Sequence, residues 1–333
     1  MSYLYLLPLL LLTPASLAGV LYEWRNEAAL AKSLPVPGRL YRVGRRLMHL
    51  SAMGEKRPGR PTVVLEAGSG DWSTCWRSVQ PAIARFARVV SYDRAGLGWS
   101  APGSQPRVPR RIATELHELL AQAGEEPPYL LVGHSLGGPF SRMFASLYPD
   151  EVSGIVWIDS AHETMQRFLP FWPMAYRALV AGAGGASLLA NFGVMRLAGR
   201  FSGGFSILDG VVTSSDPCPT AEFGLSPNFY RTARQETQGW YHPANWKGTR
   251  TNYGDLPVLM FEASYPAEPP RGIPRWGWQQ YLEGWSAIQD ELSGLSTRTR
   301  RVKVNTTHQI QLEQPEAVVE GIREMVERVS RPA

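Results

Sequence analysis

The stretch Gly133-His134-Ser135-Leu136-Gly137 constrains this chain more than any other five residues. It follows an apolar run, Tyr129-Leu-Leu-Val-Gly133, and it opens a helical pattern that continues through Leu147 and stops before Pro149. A side chain carried on so tight a strand-to-helix turn needs neighbours without Cβ atoms, which the glycines at 133 and 137 supply. Such a turn projects Ser135 Oγ from the carboxyl edge of a sheet. It also leaves the Leu136 N–H at a helix start, where unpaired donors and the helix dipole favour developing negative charge. Ser135 is therefore a candidate nucleophile. A glycine-rich turn with a capping serine would explain the glycines, but not the order strand, motif, helix.

The rest of the chain alternates in the same way. Pro61–Glu66, Ala87–Tyr92, Val152–Ile158, Leu256–Phe261 and Thr299–Val304 read as strands. Val79–Ala87, Ile112–Ala123, Trp278–Leu292 and Pro315–Val329 have helical spacing. Alternation of this kind predicts an α/β fold, a mostly parallel central sheet with helices on both faces and right-handed crossovers. Hydrophobic residues make up 44% of the 333 and suffice for one large core. Between Met165 and Arg250 the pattern gives way to Gly, Pro and aromatic residues, among them Phe171, Trp172, Tyr176, Trp240 and Trp246. Residues 61–164 and 251–333 are thus expected to form two parts of one core, with a helical cap inserted over 165–250.

The first 60 residues differ. From Tyr3 to Tyr22 no charge interrupts a leucine-rich run, long enough to span a bilayer as a helix. Residues 1–24 read as an uncleaved signal-anchor, making the chain membrane-associated; cleavage after Ala18 and export is the alternative. Residues 25–60, with Arg25, Lys32, Arg39, Arg42, Arg45 and Arg46, read as a basic linker ending in an edge strand or hairpin at 46–52. Lys and Arg number 34 against 29 Asp and Glu, a mild excess with no zinc-finger, RNP-type or long basic run, so nucleic acid is not an expected partner. Two cysteines, Cys75 and Cys218, exclude a disulfide framework and a four-thiolate zinc site. No metal or cofactor is expected.

Taken together, Val63-Val-Leu-Glu-Ala-Gly-Ser-Gly70, Tyr92-Asp-Arg-Ala-Gly-Leu-Gly-Trp-Ser100, Gly133-His-Ser-Leu-Gly-Gly138, Ile158-Asp-Ser-Ala-His-Glu163 and His308-Gln-Ile-Gln-Leu-Glu-Gln-Pro315 resemble the α/β-hydrolase fold superfamily over roughly residues 35–330. The resemblance is to bacterial serine hydrolases with an N-terminal hydrophobic segment. It implies Ser135 as nucleophile, an oxyanion hole from the Leu136 and Ser69 N–H groups, and a small ester or lipid-like substrate with no cofactor. Where many members have His-Gly after the first central strand, this chain has Ala67-Gly68. Asp93, Gly96, Gly98 and Ser100 match a turn that is structural in most members. His308 fits the general base, because it follows a strand and comes last in chain order, as the nucleophile, acid, base sequence demands. Thr307 stands before it where members often have glycine. For the acid, Asp159 at the end of the strand after the nucleophile helix is favoured over Glu262 and Glu268, which lie in the loop where many relatives place theirs.

Other classes fit less well. Gly68-Ser-Gly70 follows a strand, but a dinucleotide fingerprint would need glycine at Ser73. Dehalogenases and epoxide hydrolases resemble the same architecture with an aspartate nucleophile, where this chain has Ser135. A non-catalytic membrane-tethered binding protein, a thioesterase and an acyltransferase stand as the alternatives on the same fold.

Overall fold

The structure, a computed structural model, describes residues 6–202, 221–270 and 272–330. Helix α1 (Leu6–Ser33) precedes a hairpin of β1 (Arg39–Val43) and β2 (Arg46–Met53), which turns at Gly44 with φ 56°. Then come β3 (Thr62–Glu66), a one-turn α2 (Gln80–Ile83), β4 (Val89–Tyr92), α3 (Pro109–Gln122), β5 (Tyr129–His134), α4 (Gly137–Leu147) and β6 (Val152–Ile158). Among the described residues four α-helices follow before the sheet resumes: α5 (Met165–Phe168), α6 (Trp172–Asn191), α7 (Val194–Ser202) and α8 (Pro227–Tyr241). The chain ends through β7 (Val258–Ala263), α9 (Arg275–Ser293), β8 (Thr299–Val304), α10 (Ile310–Glu313) and α11 (Pro315–Val329).

The eight strands form one sheet in the order β1-β2-β4-β3-β5-β6-β7-β8. Pairing is antiparallel for β1 with β2 and β2 with β4, and parallel from β4 to β8. Parallel strands covered on both faces must be apolar throughout, and β3, β4, β5 and β7 are buried at every position. Successive side chains divide between two cores. Val64, Leu131 and Trp157 face α3, α4 and α9, whereas Val63, Leu65, Leu130, Val132 and Val156 face α2 and α11. Burying one such aliphatic side chain contributes roughly 1.5–3 kcal/mol relative to leaving it exposed.

Parallel strands share a carboxyl edge, so the residues just past β3, β5, β6, β7 and β8 converge there whatever their separation in sequence. Helices α5 to α8, the stretch expected to be a cap, lie between β6 and β7.

The start of the chain departs from expectation. Helix α1 runs through Ser33, so residues 25–33 are helical where a linker was expected. The membrane anchor read from residues 3–22 gains no support: among the described residues no single helix is long and apolar enough to cross a membrane. Residues 1–5 and the side chains of 6–13 lie outside the described residues. What holds the second half of α1 is the cap, because Glu23 forms a buried ion pair with Arg196 of α7 at 2.8 Å. Cys75 is buried, and Cys218 lies outside the described residues.

Candidate active site

Ser135 sits at the turn between β5 and α4 with φ 51°, one of two non-glycine residues with positive φ among the described residues. Three backbone bonds hold it there: Ser135 N–H donates to Ile158 O at 3.1 Å, and Gly138 and Ala161 N–H both donate to Ser135 O at 3.0 Å. A Cβ at Gly137 would lie 2.3 Å from Glu66 O, and one at Gly133 would lie 2.5 Å from Gly137 O, so both flanks of the turn exclude any other residue. Leu136 leads directly into α4.

Asp159, at the end of β6, is the other residue with positive φ, 42°, and it has no exposure. Its Oδ2 accepts from His308 Nδ1 at 2.6 Å and from the Tyr265 hydroxyl. Its Oδ1 accepts from Trp285 Nε1 at 3.0 Å and Ala263 N–H at 3.1 Å. Burial alone would raise the carboxyl's pKa. The hydrogen bond and charge of His308, with the Tyr265 and Trp285 donors, outweigh burial and hold Asp159 below the usual carboxylate range. The carboxylate is thus ionised and saturated with donors, and it fixes the His308 tautomer that leaves Nε2 free of the aspartate.

His308 is on the loop after β8. The Glu313 carboxylate accepts from the Thr306 and Thr307 hydroxyls and from Thr307 N–H at 3.0 Å, so Thr307 ties down a loop where a glycine would leave it loose. His134, next to Ser135, donates from Nε2 to His308 O at 3.0 Å, and the two rings lie 4.7 Å apart. Burial, helped by the nearby His308, lowers the His134 pKa to about 3, so it stays neutral. Among the described residues no direct hydrogen bond joins Ser135 to His308; such bonds often tighten only when substrate is bound.

Glu262 and Glu268 are not brought to His308. Glu262 pairs with Arg301 and, at 3.7 Å, with Lys303, both on β8, while Glu268 pairs with Arg275 at 3.0 Å on the surface.

The loop that carries Ser69 is held from below. Arg94 is fully buried and donates to Ala67 O and Gly68 O, each at 2.7 Å, and to Glu66 Oε1 at 2.9 Å. Its remaining N–H groups reach Glu236 of α8, at 3.0 and 3.1 Å. Although burial opposes its charge, the two carboxylates keep Arg94 more firmly protonated than a free arginine. Gly68 itself lies against the turn, where a Cβ would approach Ser135 Cβ at 3.3 Å. Neither Arg94 with Glu236 nor Tyr265 with Trp285 was singled out from the sequence, because each pair acts through contacts between distant segments. Asp93 is structural, accepting from Ser73 N–H at 2.8 Å and Trp99 N–H at 2.9 Å.

Residues 61–215 match the family model described as alpha/beta hydrolase fold. An AB hydrolase superfamily protein of Gibberella zeae is 34% identical over 122 residues, 35% of this chain and 38% of that protein. The chain spans less than half the length of the curated relatives it matches first. Among solved structures, the epoxide hydrolase CorEH superposes with TM-score 0.61 at 19% identity, covering 87% of this chain and 98% of that one. Est816, an N-acyl homoserine lactone degrading enzyme, gives 0.58 at 15%, covering 86% and 99%. An eight-stranded sheet with Ser135 on the turn between β5 and α4 defines the class. The fold is that of the α/β hydrolases, and residues 61–215 are similar in sequence to that family.

Proposed function

We propose that this chain is a serine hydrolase that cleaves carboxylic esters through an acyl-enzyme, with Ser135 as nucleophile, His308 as general base and Asp159 as the acid that orients it. The observation that carries the reading is the 2.6 Å bond between His308 Nδ1 and the buried, ionised Asp159, at the same sheet edge as Ser135 on its strained turn. Ser135 Oγ attacks the ester carbonyl as His308 Nε2 takes its proton. The N–H groups of Leu136 and Ser69 bind the oxyanion, and the tetrahedral adduct collapses as His308 returns the proton to the departing alcohol. Water, deprotonated by His308, then attacks the acyl group and releases the acid. No cofactor enters. A serine nucleophile separates this chemistry from that of fold relatives with an aspartate nucleophile.

Ser135→Ala tests the reading. The folded variant is expected to lose labelling by a fluorophosphonate probe and to lose about 10³-fold or more in turnover across an ester chain-length panel. Wild-type activity in that variant would refute the nucleophile.

A further inference from the structure

The cap presents an apolar face that nothing among the described residues covers. Along α6 and its C-cap residue, positions 174, 178, 181, 185, 188 and 192 recur at helical spacing, and all are exposed: Met174, Ala178, Ala181, Gly185, Leu188 and Phe192. A helix of a water-soluble fold buries such a stripe; here Met174 is 74% exposed and Leu188 62%. The face continues across the turn into α7, where Val194 and Leu197 are exposed, and onto α1. Helix α1 crosses at the α6–α7 junction, where Gly19 and Gly193 permit contact: a Cβ at Gly19 would lie 2.6 Å from Phe192 O, and one at Gly193 2.4 Å from the Tyr22 ring. Exposed Leu17, Val20, Leu21 and Trp24 border that crossing.

The charges on the two cap helices have one sign, while α1 adds Glu23, which is paired with Arg196, and Glu27. Neither α6 nor α7 contains an acidic residue, and their charged residues are Arg177, Arg196 and Arg200. Arg196 is consumed by Glu23. Arg177, by contrast, lines an open groove of about 420 Å³ between α6 and α8 together with Arg234, Tyr176 and Gly184. Both groove arginines are exposed, and neither pairs with a carboxylate among the described residues.

We infer that this face of α1, α6 and α7 seats the protein on a bilayer surface bearing anionic headgroups, with Arg177 and Arg234 receiving a headgroup phosphate in their groove. An exposed apolar stripe flanked by arginines is the pattern of an interfacial helix. The 91° bend between α6 and residues 194–200 prevents the two from forming a straight span, whereas both can lie in the plane of an interface. A second copy of the chain fits less well, because a two-fold contact through this face would bring the same unpaired arginines together, and headgroup phosphates neutralise them. The seat belongs to the cap itself and does not require residues 3–22 to cross the bilayer.

Flotation of the full chain with vesicles tests this. Wild type is expected to bind 7:3 phosphatidylcholine:phosphatidylglycerol vesicles several-fold better than pure phosphatidylcholine. R177Q/R234Q should erase that preference, while L188S/F192S/L197S should lower binding to both vesicle types about 10-fold or more. Near-UV circular dichroism and the thermal midpoint verify folding independently of any hydrolase activity. Three results would overturn the inference: the triple serine variant floating like wild type, wild type ignoring both vesicles, or wild type forming a vesicle-independent dimer in analytical ultracentrifugation that the triple variant dissolves.

Discussion

The Asp159 carboxylate has no exposure and accepts four hydrogen bonds, which is as many as its two oxygens hold comfortably. Converting it to an amide would replace an acceptor by a donor facing Tyr265, His308 or Trp285, and the imidazole would lose the partner that fixes its tautomer. Asp159→Asn is therefore expected to lower kcat by on the order of 10³ to 10⁴ with little change in KM, measured on one short ester. Glu262→Gln and Glu268→Gln should leave kcat within a few-fold, since those side chains face Arg301 and Arg275. A crippled Glu262→Gln enzyme beside an active Asp159→Asn enzyme would reverse the assignment. From the sequence, Ser135 stood out by the glycines around it and His308 by chain order, and Asp159 could be ranked ahead of the glutamates but not separated from them. The separation needs the third dimension. It comes from Ala263 N–H, Tyr265 and Trp285, residues 104 to 126 positions away that no spacing rule connects to a carboxylate.

At the scale of elements, the sheet was the most legible part. Strands buried on two faces must be continuous apolar runs, so Val152–Ile158 emerges from the sequence with the bounds the structure gives it, and the half-exposed edge strand Thr299–Val304 emerges from its β-branched alternation. The first helix was not legible beyond its apolar half. Its continuation, Glu23–Ser33, is charged and could equally have been a linker until Glu23 found Arg196, 173 residues on. Nor did the sequence reveal how α8 is joined to the core. Glu236 of α8 grips Arg94, and Arg94 holds the carbonyls just before Ser69, so the seating of a cap helix and the placement of the N–H proposed as the second oxyanion donor share one guanidinium. At Ala67-Gly68 the arginine supplies the order of the loop from below. Glu236→Gln leaves Arg94 buried with half its countercharge. It should destabilise the protein by about 3–5 kcal/mol in urea unfolding, as breaking a buried pair does. In the folded fraction it should lower kcat and the affinity for a tetrahedral boronate inhibitor in parallel, with KM nearly unchanged. Lost stability with boronate affinity intact would mean that the clamp holds the cap and not the oxyanion loop.

For the whole molecule, buried histidines set how stability responds to acid. His134 and His162 both have pKa values lowered to about 3, in each case first by burial; for His162 the charges of Arg142 and Arg167 add to it. In the unfolded chain the same groups titrate near 6.5. Between pH 6.5 and about 3 the unfolded state therefore binds protons that the native state refuses, and stability falls as pH falls, by about 1.4 kcal/mol per pH unit for each histidine. Carboxyls whose native pKa is raised act in the opposite sense. Glu66 and Asp71, raised chiefly by burial, take up protons in the folded state first, and so soften the decline above the usual carboxyl range. His162 offers the cleaner test, because it lies outside the His308–Asp159 pair and its Nδ1 accepts from Thr164 N–H at 3.1 Å, a bond that a glutamine oxygen can replace. In His162→Gln the slope of unfolding free energy against pH between 6.0 and 5.0 should fall by about 1.4 kcal/mol per unit relative to wild type, measured by urea titration at each pH. Equal slopes in the two proteins would show that His162 takes up its proton in the native fold, and the acid sensitivity would then rest on His134.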